Sequence, residues 1–171
     1  MSQQKFQLSS LSLYRYECFL FLIYVGVIGA LAQSSFINEE ILETPSEPKQ
    51  YLSSMNRGQK AYFAQKNTLA NSVEALGTSI QTETRNYKYS VRATKKAAFN
   101  YGVSKHPKST SYVGGVFVVP AKEVDPNAAK HELKTIAILC KADSPGSIQP
   151  PEPIYQNGKT ACGKGTTAAI E

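Results

Sequence analysis

A single long apolar run near the N-terminus constrains this chain more than any other feature of its sequence. The run CFLFLIYVGVIGALAQSSF extends from Cys18 to Phe36, and its first fifteen residues include no charge and no amide. A membrane-spanning helix needs about 20 predominantly apolar residues, a length that Tyr14, Tyr16 and Ile37 help to reach. A helix packed on a soluble core would be apolar on one face only, whereas this run is apolar all round. The sequence therefore predicts a transmembrane helix.

The charges on the two sides of the run predict its orientation. Lys5 and Arg15 precede the run, and four acidic residues follow it: Glu39, Glu40, Glu43 and Glu47. Positively charged flanks stay on the cytoplasmic side of a membrane. We therefore expect a cytoplasmic N-terminus and an exported chain after about residue 38.

The run has two alternative fates after export. A basic N-terminal region, an apolar stretch and the triplet Ala30-Leu31-Ala32 form a site for signal peptidase between Ala32 and Gln33. Cleavage there would release a soluble periplasmic or secreted binding protein. Without that cleavage, the run would remain as an anchor. The sequence leaves both fates open.

The exported part is basic. From residue 49 onward, 17 Lys and Arg stand against 8 Asp and Glu, which leaves a charge of +9. Such a charge favours polyanionic partners such as DNA or anionic polysaccharide. The alternative is a soluble surface of scattered lysines, since the sequence lacks the alternating basic and aromatic residues of a nucleic-acid groove.

The redox state of the last two cysteines depends on whether this part of the chain is exported. Cys140 and Cys162 have 21 residues between them. In an oxidising compartment they can form one disulfide, whereas in a reduced cytosol they would be two free thiols.

The order of predicted elements indicates an α+β fold. Pro45 and Pro48 break any continuous helix within residues 38–48, which we interpret as an acidic hinge. Beyond Ser46, a possible N-cap, the spacing of Leu52, Met55 and Phe63 predicts an amphipathic helix over about residues 47–66. A short helix is expected in NSVEALG, ending at Gly77. The stretches NYKYSVRA, AAFNYGVS, SYVGGVFVVPA and TIAILCKA predict about four antiparallel strands, and the Pro- and Gly-rich tail after them is expected to be a loop.

The N-terminal run resembles that of type IV pilins. Gly26 and the following VIGALAQSSFIN are similar to the pilin stretch GILAAIALPSFLN. In that register Glu17 falls on the glutamate at the fifth residue after the pilin cut, Leu13 on the first mature residue and Ser12 on the residue before the cut. The resemblance implies a leader over residues 1–12, removed by a prepilin peptidase, and a transmembrane helix over residues 13–37. Pilins usually carry Gly where Ser12 stands and an apolar residue where Arg15 stands.

The exported domain, residues 49–171, carries a second resemblance. The segments SMNRGQKAYFAQKNTLANSVEALG, YKYSV, SYVGGVF and ILCKADSPG, with a late cysteine, look in that order like the head of the type IV pilin-like G/H family. The resemblance implies a helix laid on an antiparallel sheet of about four strands, closed by a C-terminal disulfide loop between Cys140 and Cys162. It also implies a structural subunit, a minor pilin or pseudopilin of a type IV pilus or type II secretion system.

The resemblance further implies the location and the partners of the chain. It would be a single-pass protein of the inner (cytoplasmic) membrane with a periplasmic head. Its partners would be other pilin or pseudopilin subunits, the prepilin peptidase, an inner-membrane assembly platform and membrane lipid. Glu17 would be the assembly residue, because its carboxylate would neutralise the N-terminal amine of a neighbouring subunit inside an apolar helix bundle.

The sequence does not predict an enzyme. His106 and His131 lie in no metal-ligand spacing with each other or with a cysteine. No serine lies in a G-x-S-x-G turn, and there is no C-x-x-C pair. We therefore expect no catalytic residues, no metal and no cofactor.

Overall fold

The computed structural model describes residues 46–77 and 79–169. Its first element is helix α1, Glu47–Lys66, which begins after Ser46 with Pro48 in its first turn. The predicted bounds of the amphipathic helix are thus confirmed, and Ser46 is the N-cap residue, although its side chain makes no capping hydrogen bond. Within the described ranges, no helix combines the length and the apolar character that a membrane crossing needs.

The four predicted strands are four consecutive neighbours in a five-stranded antiparallel sheet. They are β1 (Tyr87–Ala93), β2 (Ala97–Ser104), β3 (Tyr112–Pro120) and β4 (Leu133–Ala142). The fifth strand is β7, Thr166–Ala168, and the order is β1-β2-β3-β4-β7. The sequence analysis expected about four strands because a three-residue strand is too short to show an alternating pattern.

The C-terminal tail is more ordered than the sequence analysis expected. Strands β5 (Ile154–Gln156) and β6 (Lys159–Ala161) pair as a separate two-stranded hairpin. Asn157 and Gly158 connect them with φ angles of 51° and 76°, as a type I′ turn requires. The expectation of a loop without strands was wrong for residues 154–161, and the Asn-Gly pair is the sequence signal that it overlooked.

The other short elements are single turns. The stretch NSVEALG contains the 3-10 turn Glu74–Leu76, which ends at Gly77 as predicted. Its backbone is held by Ser72, whose hydroxyl accepts a hydrogen bond from the Ala75 N–H at 3.2 Å. A second 3-10 turn, Ala121–Glu123, follows β3.

The sheet is covered on both faces. Helix α1 packs on one face, where Leu52 and Met55 are fully buried against Tyr89 and Leu139. On the opposite face Phe99, Phe117 and Cys140 form a second apolar cluster, and it is covered by the C-terminal tail. Two-sided coverage explains why β2 and β3 are buried almost continuously and do not alternate between buried and exposed residues.

Two glycines in the middle of β3 allow this close packing from both sides. A Cβ atom on Gly114 would lie 3.0 Å from Asn56 Cγ on α1, and closer still to Oδ1. A Cβ atom on Gly115 would lie 3.0 Å from the Phe117 ring and 3.2 Å from Pro153 Cβ in the tail. The helix and the tail therefore both approach the backbone of β3 where it has no side chains.

Asn56 uses this space to reach the sheet. Its side-chain amide donates to the Ile138 carbonyl at 3.2 Å, and its Oδ1 accepts from Asn100 Nδ2 at 2.9 Å. Asn100 is fully buried, and its own Oδ1 has no partner among the described residues. Because buried polar groups are costly unless they are paired, these bonds fix the position of α1 over the sheet.

We expect Gly114→Ala to lower the free energy of unfolding by about 1–3 kcal/mol, because the added methyl group overpacks the contact with Asn56. The measurement is urea unfolding of the purified chain, followed by circular dichroism. The matched test is the same substitution in an Asn56→Ala background, where the obstructing amide is gone and the further loss should be much smaller. Equal losses in the two backgrounds would contradict this explanation.

Candidate functional site

The predicted processing and assembly residues lie outside the described part of the chain. These are Ser12 and Leu13 at the pilin-like cut, Glu17, and Ala32 and Gln33 at the alternative cut. Their roles stay predictions. The structure therefore describes the head domain from Ser46 onward.

The disulfide that the sequence analysis considered is present. Cys140 and Cys162 are bonded, with their Cα atoms 5.8 Å apart. Cys140 lies on β4 and is fully buried, whereas Cys162 follows β6. The bond thus ties the C-terminal tail to the sheet face opposite α1.

Glu47 fastens the first turn of α1 to the start of β1. Its Oε1 accepts hydrogen bonds from the Thr84 hydroxyl at 2.5 Å and the Tyr89 hydroxyl at 3.0 Å. Its Oε2 accepts from Asn86 Nδ2 at 3.4 Å. We call these four residues the Glu47 clamp. Because hydrogen bonds to a charged group are stronger than neutral ones, the clamp fixes the first turn of α1 against the start of β1.

Tyrosines surround the clamp. The ring of Tyr89 stacks on Tyr51 with a centroid distance of 4.8 Å and lies 6.2 Å from Tyr87. Burial and, next, the hydrogen bond to Glu47 raise the pKa of Tyr89 well above the usual range of a tyrosine. Tyr89 therefore stays a neutral hydrogen-bond donor to the carboxylate at physiological pH. Tyr87 and Tyr89 belong to the buried core cluster, and Tyr51 packs against it.

An ion pair holds the tail on the face opposite α1. Residues 152–162, which we call the strap, begin at Glu152, whose carboxylate forms a two-pronged ion pair with Arg92 on β1. The Tyr101 hydroxyl donates to the same carboxylate at 2.5 Å. The Arg92 guanidinium also lies 4.9 Å from the centre of the Phe99 ring, a cation–π geometry.

The electrostatics of this contact favour the charged form of Glu152. Desolvation opposes ionisation, but the hydrogen bonds from Arg92 and Tyr101 outweigh it and lower the pKa of Glu152 below its usual range. Burial, followed by the hydrogen bond to the carboxylate, raises the pKa of Tyr101 to about 12. The contact therefore keeps its charges throughout the neutral pH range.

The strap crosses the sheet between two fixed ends, the ion pair of Glu152 with Arg92 and the disulfide at Cys162. Pro153 lies over Gly115 of β3, and the Tyr155 ring lies 6.0 Å from Phe117. The Tyr155 hydroxyl donates to Glu123, just after β3. At its far end Cys162 is bonded to Cys140 on β4. The strap thus runs from the β1–β2 side to β4 and covers the apolar cluster around Phe99 and Phe117.

The basic residues of the head are distributed over several elements. In the described ranges, ion pairs join Arg92 with Glu152, Lys105 with Glu83 and Lys134 with Asp125. Further exposed basic residues lie on α1, on the β1–β2 turn and on the strap, among them Lys60, Lys66, Lys95, Lys96 and Lys159. This distribution fits the scattered-lysine alternative of the sequence analysis.

The residues considered for catalysis lie apart from one another. His106 and His131 are both exposed, on the β2–β3 connection and before β4. In residues 46–77 and 79–169, no group of three or more His, Cys, Asp or Glu side chains is placed to hold a metal ion.

Sequence reasoning missed both carboxylates that organise the head. Glu47 was interpreted as part of an acidic flank, and Glu152 as part of a proline-rich loop. Their partners are 37 to 42 residues away for Glu47 and 51 to 60 residues away for Glu152. Local patterns carry no signal for such long-range pairs.

Comparison with known proteins gives one match. The sequence model of the type IV pilin-like G and H family matches residues 45–163. This segment includes α1, all four long strands, the strap and both bonded cysteines. No curated protein and no solved structure gives a significant match.

We expect Glu47→Ala to lower the free energy of unfolding by about 1–3 kcal/mol, because it leaves the Tyr89 hydroxyl partly buried without its charged acceptor. The measurement is urea unfolding of the solubilised chain. The control is Glu74→Ala, which removes an exposed glutamate of the 3-10 turn and should change stability by less than about 0.5 kcal/mol. Equal effects of both substitutions would show that the clamp does not stabilise the head.

Proposed function

The chain belongs to the type IV pilin-like G and H family, and we propose that it is a structural subunit, a minor pilin or pseudopilin, of a type IV pilus or a type II secretion system. The observation that carries the proposal is the family match over residues 45–163, which spans nearly the whole described domain. A helix packed on an antiparallel sheet and a C-terminal disulfide accompany it. The proposal includes no catalytic step and no cofactor.

In this proposal the N-terminal segment is a membrane anchor. Residues 13–37 would cross the inner membrane, with the N-terminus in the cytoplasm and the head in the periplasm. The length of the apolar run and the basic-before-acidic order of its flanks support this orientation. A disulfide in the head agrees with an oxidising compartment.

Glu17 is the assembly residue of the proposal. A carboxylate at the edge of an apolar helix is costly in a membrane unless it finds a partner. The N-terminal amine of a neighbouring subunit, exposed by a prepilin peptidase between Ser12 and Leu13, would be that partner. Assembly would take place on an inner-membrane platform, with membrane lipid around the unassembled anchor.

The head would determine which surfaces meet outside the membrane. The Glu47 clamp holds the start of α1 on the sheet. The strap closes the face opposite α1. Both features suit a rigid building block.

The first test is the intact mass and N-terminal sequence of the protein isolated from its native membrane. We expect the chain to begin at Leu13, because the pilin register places the cut after Ser12. A start at Gln33 would instead identify a soluble periplasmic or secreted binding protein, released after Ala32, and would overturn the anchored subunit. A start at Met1 would contradict prepilin processing.

The second test is Glu17→Ala. We expect it to abolish incorporation into the membrane complex or fibre, because a neighbour's buried amine would lose its counter-charge at a cost of about 3–5 kcal/mol. The measurement is the amount of chain in sheared fibres or in the purified complex, relative to total chain. Glu39→Ala is the matched control, since it removes an acid beyond the apolar run. Normal incorporation of the Glu17 variant would count against the assembly role.

A further inference from the structure

The strap makes no backbone hydrogen bond to the sheet that it covers. Its strands β5 and β6 pair with each other as a separate sheet. In residues 46–77 and 79–169, no backbone N–H or C=O group of residues 152–162 bonds to a strand of the five-stranded sheet. Lifting the strap therefore breaks none of the hydrogen bonds that hold the sheet together.

The chain on both sides of the strap is fixed without it. The connection that contains the strap leaves β4 after Ala142 and returns at β7, and these two strands pair with each other from Cys140↔Ala168 to Ala142↔Thr166. Beyond this ladder the Asp143 N–H donates to the Gly165 carbonyl at 3.0 Å. The base of the connection is thus closed by backbone bonds, and the strap can move while the sheet stays intact.

The surface beneath the strap is apolar. Pro153 lies over Gly115, and the Tyr155 ring lies 6.0 Å from the Phe117 ring. The cluster below them is buried and includes Phe99, Val113, Phe117 and Val119. An open strap would expose these side chains together, and a contiguous apolar surface of this kind favours association with other apolar surfaces.

Two contacts of different chemistry hold most of the strap in place. One is the covalent bond from Cys162 to Cys140. The other is the carboxylate of Glu152, which binds Arg92 and the Tyr101 hydroxyl. The side chains of Arg92 and Glu152 are 51% and 34% exposed, so their attraction is screened by water and is weaker than a buried pair would be. The hydrogen bond from the Tyr155 hydroxyl to Glu123 adds a third, exposed contact.

The covalent contact also supports the ionic one. A Cβ atom on Gly163 would lie 2.7 Å from the Glu152 carbonyl oxygen and 2.9 Å from Pro151 Cβ. Gly163 directly follows Cys162, so while the disulfide holds Cys162 on β4, the backbone of Glu152 is held from behind. After reduction, only the contacts of its side chain with Arg92 and Tyr101 keep Glu152 in place.

We infer that the strap is a redox-sensitive cover, which opens as a separate unit when the Cys140–Cys162 bond is reduced and which the Glu152 contact alone keeps partly closed in the reduced chain. This inference goes beyond the proposed function and does not depend on it. In the reducing step a dithiol supplies two electrons and two protons, the S–S bond becomes two thiols, and the dithiol becomes a disulfide. A head that has not been oxidised would therefore present the apolar cluster around Phe99 and Phe117.

The test is hydrogen–deuterium exchange of the purified full-length chain, measured by mass spectrometry with the disulfide intact and after reduction by dithiothreitol. Local opening raises the exchange rate of the amides that it releases and leaves the others protected. We expect reduction to raise the exchange rate of amides 154–161 by at least about tenfold. The amides of β2 and β3 should change by less than about twofold.

The variant Glu152→Gln tests the second contact, because it keeps the size of the side chain and removes its charge. In the reduced chain we expect a further rise of about tenfold in the exchange rate of the strap amides. In the oxidised chain the rise should stay below about threefold, because Cys162 and Gly163 still hold the strap. Glu74→Gln is the matched control, since it removes an exposed glutamate outside the strap and should change neither rate.

Several outcomes would overturn the inference. Equal protection of the strap before and after reduction would show that the disulfide does not keep it closed. Loss of protection in β2 and β3 together with the strap would show that the disulfide holds the whole head. An equal factor for Glu152→Gln in both redox states, or an equal effect of Glu74→Gln, would remove the role of the Glu152 contact.

These outcomes are separate from those that test the proposed function. The exchange of the strap does not depend on whether the chain begins at Met1, Leu13 or Gln33. A strap that fails to open would leave the structural subunit in place, and a chain that fails to assemble would leave the cover in place. Protection of β2 in the oxidised Glu152→Gln chain shows that the variant is folded.

Discussion

The close approach of two layers to the middle of β3 is the constraint on which this head depends. At Gly114 the side chain of Asn56 on α1 comes within contact distance of the β3 backbone, and at Gly115 the tail residue Pro153 does so from the other side. A side chain at either glycine would force one layer away from the sheet. Because packed interiors tolerate little extra volume, Gly114 and Gly115 determine how closely α1 and the tail pack on β3.

The two covering layers are held in different ways. Helix α1 is held by buried side chains and by the amide bonds of Asn56, together with the Glu47 clamp at its first turn. The strap buries little of its own and is held at its ends, by Glu152 on Arg92 and by the disulfide at Cys162. The disulfide closes the loop between Cys140 and Cys162, a sequence separation of 22. Closing a loop of that length contributes on the order of 3 kcal/mol to stability in the chain-entropy model. A short tail with few apolar residues can thus cover the second face.

The same arrangement also covers part of each outer edge of the sheet. The Glu47 clamp and the segment before β1 occupy one half of the sheet edge, and β7 occupies the corresponding half of the other edge. Among the described residues, none pairs with the outer backbone groups of the remaining halves.

The sequence by itself determined the helix over residues 47–66, the four long strands and the apolar run, because each depends on a local period or on composition that a window of residues displays. It also limited the disulfide to Cys140 and Cys162 if the compartment was oxidising. Only the tertiary structure decided that the sheet is covered on both faces, that Glu47 and Glu152 anchor the two layers, and that β7 completes the sheet. These features join residues that are tens of positions apart, and a carboxylate or a glycine has the same local pattern whether or not a distant partner packs against it.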